Sequence, residues 1–287
     1  MNNIMTRIIP CEQPKILTGG FSGDIMVHLP HSVLRIYRGT PDINHIVLLK
    51  NLGSIGVAPQ IYHDFGTGHI EEYLNGTPLS MTDSEEMFFH VARALAQLHI
   101  VPTALVQAVN VWDPWTEMSK CIDTGNLLTK GKYIIGGVSS DIISAEIESL
   151  HDLLRPFLDS EPWCLSHNDL FRGNIMRCGN DVRLIDWEMT ALFHPLYDAA
   201  NFFCECCIDI NLNYDASMFP SLKRQMEFMC ICLERNPSMR DMQILHLFIL
   251  LSHLYWTVSG VSYTPEYSSA RFVHYIDGKE ALTKLYK

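Results

Sequence analysis

The sequence predicts an α+β fold in two lobes: a small β-rich N-terminal lobe over residues 1–78 and a larger, mainly helical C-terminal lobe over residues 79–287. Three observations predict it. Short apolar runs punctuated by glycine and proline fill the opening stretch. After Asn75-Gly76-Thr77-Pro78 the pattern lengthens to helical periodicity. Among the predicted helices lies a polar segment, His167-Asn168-Asp169-Leu170-Phe171-Arg172-Gly173-Asn174, followed by Leu184-Ile185-Asp186-Trp187-Glu188.

In order along the chain, Ile16-Leu17-Thr18 reads as a strand leading into the turn Gly19-Gly20-Phe21-Ser22-Gly23. Strands follow over Asp24 to Leu29 and Ser32 to Tyr37. Thr40-Pro41-Asp42 resembles a helix start, with Pro at the first helical position. Ile43, Ile46, Val47, Leu49 and Leu52 give that helix an apolar face, and Gly53, Gly56 and Pro59 end it. Gln60 to Phe65 and His69 to Leu74 read as a hairpin turning at Gly66 and Gly68. Thr82-Asp83-Ser84-Glu85 resembles a cap before a helix over Phe88 to His99. Trp112 to Gly137 reads as an irregular excursion, Asp141 to Leu158 as an amphipathic helix, and Trp163 to Asp186 as a β-loop-β unit. Pro195 to Lys287 reads as three or four helices. Leu245 to Trp256 is the most apolar run, but His246, Ser252 and His253 interrupt it. It is also shorter than the roughly 20 residues a membrane span needs, so a core helix without membrane insertion is expected.

The 287 residues suffice for two lobes with a proper core, and 47% hydrophobic with 18% charged residues describes an ordinary folded chain. The net charge of −11 argues against nucleic acid and anionic membrane as partners, and is compatible with a cationic substrate. Nine cysteines are an odd count, and the start Met1-Asn2-Asn3-Ile4-Met5-Thr6-Arg7 lacks a signal peptide's apolar run. Free thiols in a reducing, cytoplasmic setting are expected. Cys204, Cys206 and Cys207 invite a metal reading, but no second Cys or His pair follows at zinc-site spacing. Small apolar side chains on a buried helix are the preferred account.

The polar segment carries the chemistry. Phosphoryl transfer needs a carboxylate to orient the attacking hydroxyl, and hard oxygen ligands to hold Mg²⁺ on the nucleotide phosphates. Asp169 is the candidate for the first role; Asn174 and Asp186 are candidates for the second. Turn-forming Asp and Asn would account for Asp169 and Asn174 alone. It would not explain why Asp186 also follows an apolar strand. His167 is expected to brace the loop. The turn Gly19-Gly20-Phe21-Ser22-Gly23 could bring backbone amides to phosphate oxygens, though such turns are common. Arg35 could place its charge on the same phosphates, or face outward to a surface partner. On a helix, Asp198 and Glu205 stand near one face. Asp198 is expected to bond the catalytic loop, and Glu205 to contact substrate. Trp256 and Tyr267 could add aromatic faces for an ammonium group, although a Trp in an apolar helix is more often core.

Taken together these residues resemble the choline/ethanolamine kinase family, within the wider aminoglycoside-phosphotransferase-like group with a protein-kinase-like fold. Thr18 to Gly23 looks like the family's nucleotide loop, Val33 to Tyr37 its phosphate-contacting strand, and Ile70 to Leu79, with Glu71 and Tyr73, its hinge. His167 to Asn174 and Ile185 to Glu188 are similar to its catalytic and metal motifs. Asp198 to Glu205, Ser252 to Trp256 and Tyr267 to Phe272 resemble the segments that separate it from protein and antibiotic kinases. The resemblance implies ATP- and Mg²⁺-dependent phosphorylation of a small cationic amino alcohol, choline or ethanolamine, early in phospholipid synthesis. It implies that Glu188, Glu205, Trp256 and Tyr267 surround the cationic head. Members often dimerise, so a homodimer is an expectation, with no interface legible in the sequence.

Three departures bear on the site. His45 stands fourteen positions before Pro59, where the family usually has Glu, leaving the partner of Arg35 open. Ser259, three positions after Trp256, and Ile210, five after Glu205, replace a usual Trp and Tyr. The cage is thereby less aromatic, by about 1 kcal/mol of cation–π attraction per ring, so ethanolamine or another small amine could compete with choline. Two alternatives follow: a related kinase acting on thiamine, an amino sugar or another small alcohol, and a non-catalytic nucleotide-binding pseudokinase.

Overall fold

The computed structural model describes residues 15–17, 24–39, 43–102, 109–123, 138–158, 163–209, 213–262 and 265–285. The turn Gly19–Gly23, the helix start Thr40-Pro41-Asp42 and Ile210 lie outside them.

The N-terminal part is a five-stranded antiparallel sheet in the order β1 (Lys15–Leu17), β2 (Ile25–Leu29), β3 (Ser32–Ile36), β5 (Gly68–Glu72), β4 (Ile61–Asp64). In β3, Arg35 pairs with Met26 on one side and His69 on the other. With side chains alternating between faces, Asp24 and Glu71 then share the face of Arg35. Helix α1 (Ile43–Ser54) buries Ile46, Leu48, Leu49 and Leu52 and leaves Val47 exposed. Gly56, at φ 77°, ends it, and the Leu52 carbonyl accepts the Val57 and Ala58 amides at 3.1 and 3.3 Å.

Two short sheets and the helices make up the rest. β6 (Thr77–Pro78) joins β8 (Ile175–Cys178) and β9 (Asp181–Leu184); β7 (Cys164–Ser166) pairs with β10 (Ala191–Phe193). The β-loop-β reading of 163–186 holds along the chain, with β7 before the loop and β8 after it. The polar segment does not turn back on its own strand but crosses from one small sheet to the other. The cap before the first C-terminal helices is displaced. Ser80, with Asp83 in a reciprocal capping box, starts α2 (Met81–Glu86), and α3 (Phe88–His99) follows directly. Within the presumed irregular excursion, α4 (Pro114–Asp123) is helical; residues 124–137 lie outside the described residues.

Helix α5 (Ser140–Leu158) buries Ile143, Ile147, Leu150 and Leu154 at alternating four- and three-residue steps. Helix α6 (Leu196–Glu205) is buried all round, packing Phe202 and Phe203 against Phe88 and, on α7 (Leu222–Cys232), Phe228. Helix α8 (Met239–Ser259) is long and apolar enough to cross a membrane, yet 78% of its most apolar window is buried inside the protein. It is the core helix that its interrupted pattern suggested, and α9 (Pro265–Leu285) packs along it.

Candidate active site

The polar segment sits between β7 and β8 and is held from behind by α6. Asp198, fully buried, accepts the backbone amides of His167 and Asn168 at 3.0 and 2.9 Å, and His99 Nε2 donates to it at 3.2 Å. One turn along α6, Asn201 accepts the Leu170 amide at 2.7 Å and donates to Ser252 at 3.1 Å. The structural role expected for Asp198 is observed. Burial alone would raise its carboxyl, but the His99 bond, nearby His167 and the Asn168 amide outweigh that and hold it below its ordinary range. Burial pushes the His167 ring down, which favours the neutral form. Its Nε2–H donates to the Ile185 carbonyl at 3.0 Å, the bracing role expected of it.

Two non-glycine residues here take left-handed backbone: Asn168 at φ 65° and Asp186 at φ 64°. Asn and Asp are the residue types that tolerate this region best. The Ile185 amide donates to the Asn174 carbonyl at 2.9 Å, which sets Asp186 beside Asn174. Asn174 Nδ2 donates to Asp169, to its carbonyl at 2.9 Å and its carboxylate at 3.1 Å. The amide nitrogen is thus committed to Asp169, leaving Oδ1 as the hard donor of that side chain.

Asp169 is the most perturbed carboxyl of the group, pushed up to about 8. Burial is the largest cause, followed by Glu205 and Asp186, against the Asn174 bond, with Glu188 adding to the rise. The charges of Glu205, Asp186 and Glu188 all add to that rise. A hard divalent cation and a cationic ligand are the species that would relieve it, and the donors Asp186 and Asn174 fit such a cation.

Glu205 closes the α6 end. It is not an isolated acid: Arg271, fully buried, donates to it at 3.0 Å and also bonds the Ser252 carbonyl and hydroxyl at 3.0 and 2.8 Å. Tyr267 donates from 3.5 Å. Burial raises the Glu205 carboxyl, and Arg271, Arg172 and Tyr267 offset part of that rise. Ser252, Trp256 and Gly260 lie at four-residue steps along α8; Ser252 meets Asn201 and Arg271, and Gly260 approaches the Tyr267 ring so closely that a Cβ would lie 2.6 Å from it. Trp256 and Tyr267 are both buried, each 6% exposed, as pocket aromatics in a core would be.

The second half of the site is a cleft of about 420 Å³ under the large sheet, lined by Arg35, Tyr37, His45, His69, Glu188 and Thr190 among others. Glu188 therefore stands on the cleft wall opposite the sheet, not among the residues around Glu205. Arg35 lines the same cleft, with its guanidinium 3.8 Å from Asp24 and 3.7 Å from Glu71. The Glu71 side chain is turned to Arg35 and His69. Tyr73, 38% exposed just after β5, packs against His28 with ring centroids 4.2 Å apart and planes tilted by 41°. The Gly19–Gly23 turn lies outside the described residues.

Sequence reasoning missed Asn201, Ser252, His99, Arg271 and Asp24. Asn201 carried a signal, standing three positions from Asp198 on a helix. Arg271 did too, as a charged residue in a run that packs against an apolar helix. Cys204, Cys206 and Cys207 are buried and unbridged, and burial pushes the Cys204 thiol up to about 12. Among the described residues no group of three or more His, Cys, Asp or Glu could hold a metal, which agrees with the core reading of those thiols.

The family model for choline/ethanolamine kinases matches residues 16–285. The chain belongs to the choline/ethanolamine kinase family. It is 28% identical over 248 residues to a probable choline kinase 3 of Arabidopsis thaliana, covering 77% of this chain and 68% of that protein. It is 26% identical over 271 residues to human ethanolamine kinase 1, covering 84% of this chain and 58% of that protein. The chain thus spans little more than half to two thirds of those relatives' lengths. Its fold is shared with a choline kinase of Cryptosporidium parvum, at a TM-score of 0.75 and 23% identity, over 95% of this chain and 90% of the other.

Proposed function

We propose that this family member transfers the γ-phosphoryl group of ATP to the hydroxyl of a small cationic amino alcohol, choline or ethanolamine, on the route to phosphatidylcholine or phosphatidylethanolamine. The observation that carries the reading is the Asp169 carboxyl, held by Asn174 Nδ2 at 3.1 Å and raised by the charges of Glu205 and Asp186. An acceptor held between them presents its hydroxyl to Asp169 and its ammonium to Glu205.

In this reading residues 1–78 hold the nucleotide and 79–287 the acceptor. Asp169 orients the hydroxyl and takes its proton as the oxygen attacks. A pKa near 8 falls when cations bind beside it, which brings it to the range useful for a base at neutral pH. Asn174 and Asp186 hold Mg²⁺, which when bound neutralises charge on the nucleotide phosphates. Arg35 adds a second positive charge on the cleft wall. Glu205, Tyr267 and Trp256 receive the cationic head, with Glu205 sharing its charge between the substrate and Arg271.

The test is ADP release with ³¹P detection of the product, on a panel of choline, ethanolamine, thiamine and an amino sugar. Turnover on choline or ethanolamine is expected. Activity confined to thiamine or the amino sugar assigns the related small-alcohol kinase, and silence on the whole panel removes the enzymatic reading.

A further inference from the structure

Helix α1 carries no carboxylate, and His45 lines the cleft beside Arg35, yet Arg35 is not left to itself. Arg35 pairs across the sheet with Met26 of β2 and His69 of β5. Two residues along each neighbouring strand, on the same face, stand Asp24 and Glu71. These are the diagonal positions, within reach of a long side chain. Both are used: Asp24 lies 3.8 Å from Arg35 Nη1 and Glu71 3.7 Å from Arg35 Nε.

Glu71 is itself held. His69 is fully buried, and its Nε2–H donates to Glu71 Oε2 at 3.1 Å. On its other side the Tyr37 hydroxyl donates to His69 Nδ1. Tyr37, His69, Glu71, Arg35 and Asp24 thus form one continuous line across the sheet face, and all but Glu71 also line the cleft. Glu71 has one carboxylate oxygen on the buried ring and the other toward the guanidinium, an arrangement in which a single rotamer serves both.

We infer that Glu71, locked by His69, is the positioning residue that aims Arg35 at the nucleotide phosphates, in place of the carboxylate absent from α1 at His45. The charge partners of Arg35 lie on the sheet side and none on the helix. This rests on the nucleotide-site reading above but not on the identity of the amine.

The experiment is titration of Mg·ATP onto the intact protein without acceptor, followed by steady-state kinetics. Glu71→Gln keeps size and an acceptor for His69 while removing the charge. Its ATP dissociation constant is expected to rise roughly tenfold, with the melting temperature within a few degrees of the parent and the KM for the amine within about twofold. Adding His45→Glu to that variant is expected to recover most of the loss, because a helix carboxylate again faces Arg35. If Glu71→Gln loses the fold, Glu71→Asp keeps charge and shortens reach, and about threefold weaker binding is expected. Unchanged ATP affinity in the variant that folds, or a loss that His45→Glu leaves untouched, overturns the assignment. Tight Mg·ATP binding by the parent with no turnover on choline or ethanolamine would sink the proposed substrate and leave this inference standing.

Discussion

The Asp169 turn and the Arg35 frame both hold a charged side chain in place, by opposite means. The turn is braced from a buried helix: Asp198 and Asn201 grip three backbone amides at 2.7 to 3.0 Å, in the core. The frame is built at the edge of a cleft, from side-chain ion pairs of 3.7 and 3.8 Å around a guanidinium with 22% of its side chain exposed. Bonds from buried carboxylate to backbone fix position to a fraction of an ångström and couple the site to the fold. Longer, partly solvated pairs set a direction and let the charge follow its ligand. On the proposed function, the first suits the atom that would meet a hydroxyl, the second a charge that would accept phosphates of varying position.

The sharpest way to break this contrast is at Asp169. Asp169→Ala should lower kcat by about 10³-fold while leaving Mg·ATP affinity near its starting value, because it removes the acceptor-orienting group and nothing of the cleft. An unchanged kcat in steady-state assays would show that the braced turn is not the reacting centre. Asp198→Asn tests the brace. Loss of a buried charge that receives two amides and His99 should destabilise by about 3 kcal/mol, and thermal melts should fall by roughly 6–12 °C, with kcat reduced about tenfold. A melt unchanged by this substitution would mean that the loop stands without α6.

The smallest effect is a pH dependence. With Asp169 raised to about 8 in the folded chain, the native state holds a proton that the unfolded state releases near pH 4. Stability is therefore lost progressively as pH rises from about 4 to 8. Asp169→Asn should melt like the parent at pH 4 and a few degrees higher at pH 8, with the gap narrowing when Mg·ATP is added. A gap that is constant with pH, read by calorimetry, would contradict the charge crowding around Asp169.

Much of the fold was legible. The five strands of the large sheet and the helices over 43–54, 88–99 and 140–158 follow from apolar period and turn residues, because each is decided locally. Strand pairing was not. That β7 joins β10 rather than its neighbour β8 depends on contacts that no local period encodes. At the site, Asp169 and Asn174 could be linked from sequence because they share one turn, and Asp186 because only the β8–β9 hairpin separates it from them. The partner of Arg35 was not, because Glu71 is thirty-six positions away and becomes a neighbour only through the β3–β5 register. Arg271 stayed hidden for the same reason: its match to Glu205 exists only once α9 lies along α8.

The left-handed backbone at Asn168 and Asp186 has a consequence for redesign. Each position must satisfy a torsional demand and a chemical one with the same residue. Glycine meets the first and fails the second, while glutamate or glutamine does the reverse. Laboratory evolution of a new acceptor specificity therefore has almost no freedom at these two points, and improved variants should carry their changes on the α8 and α9 walls instead.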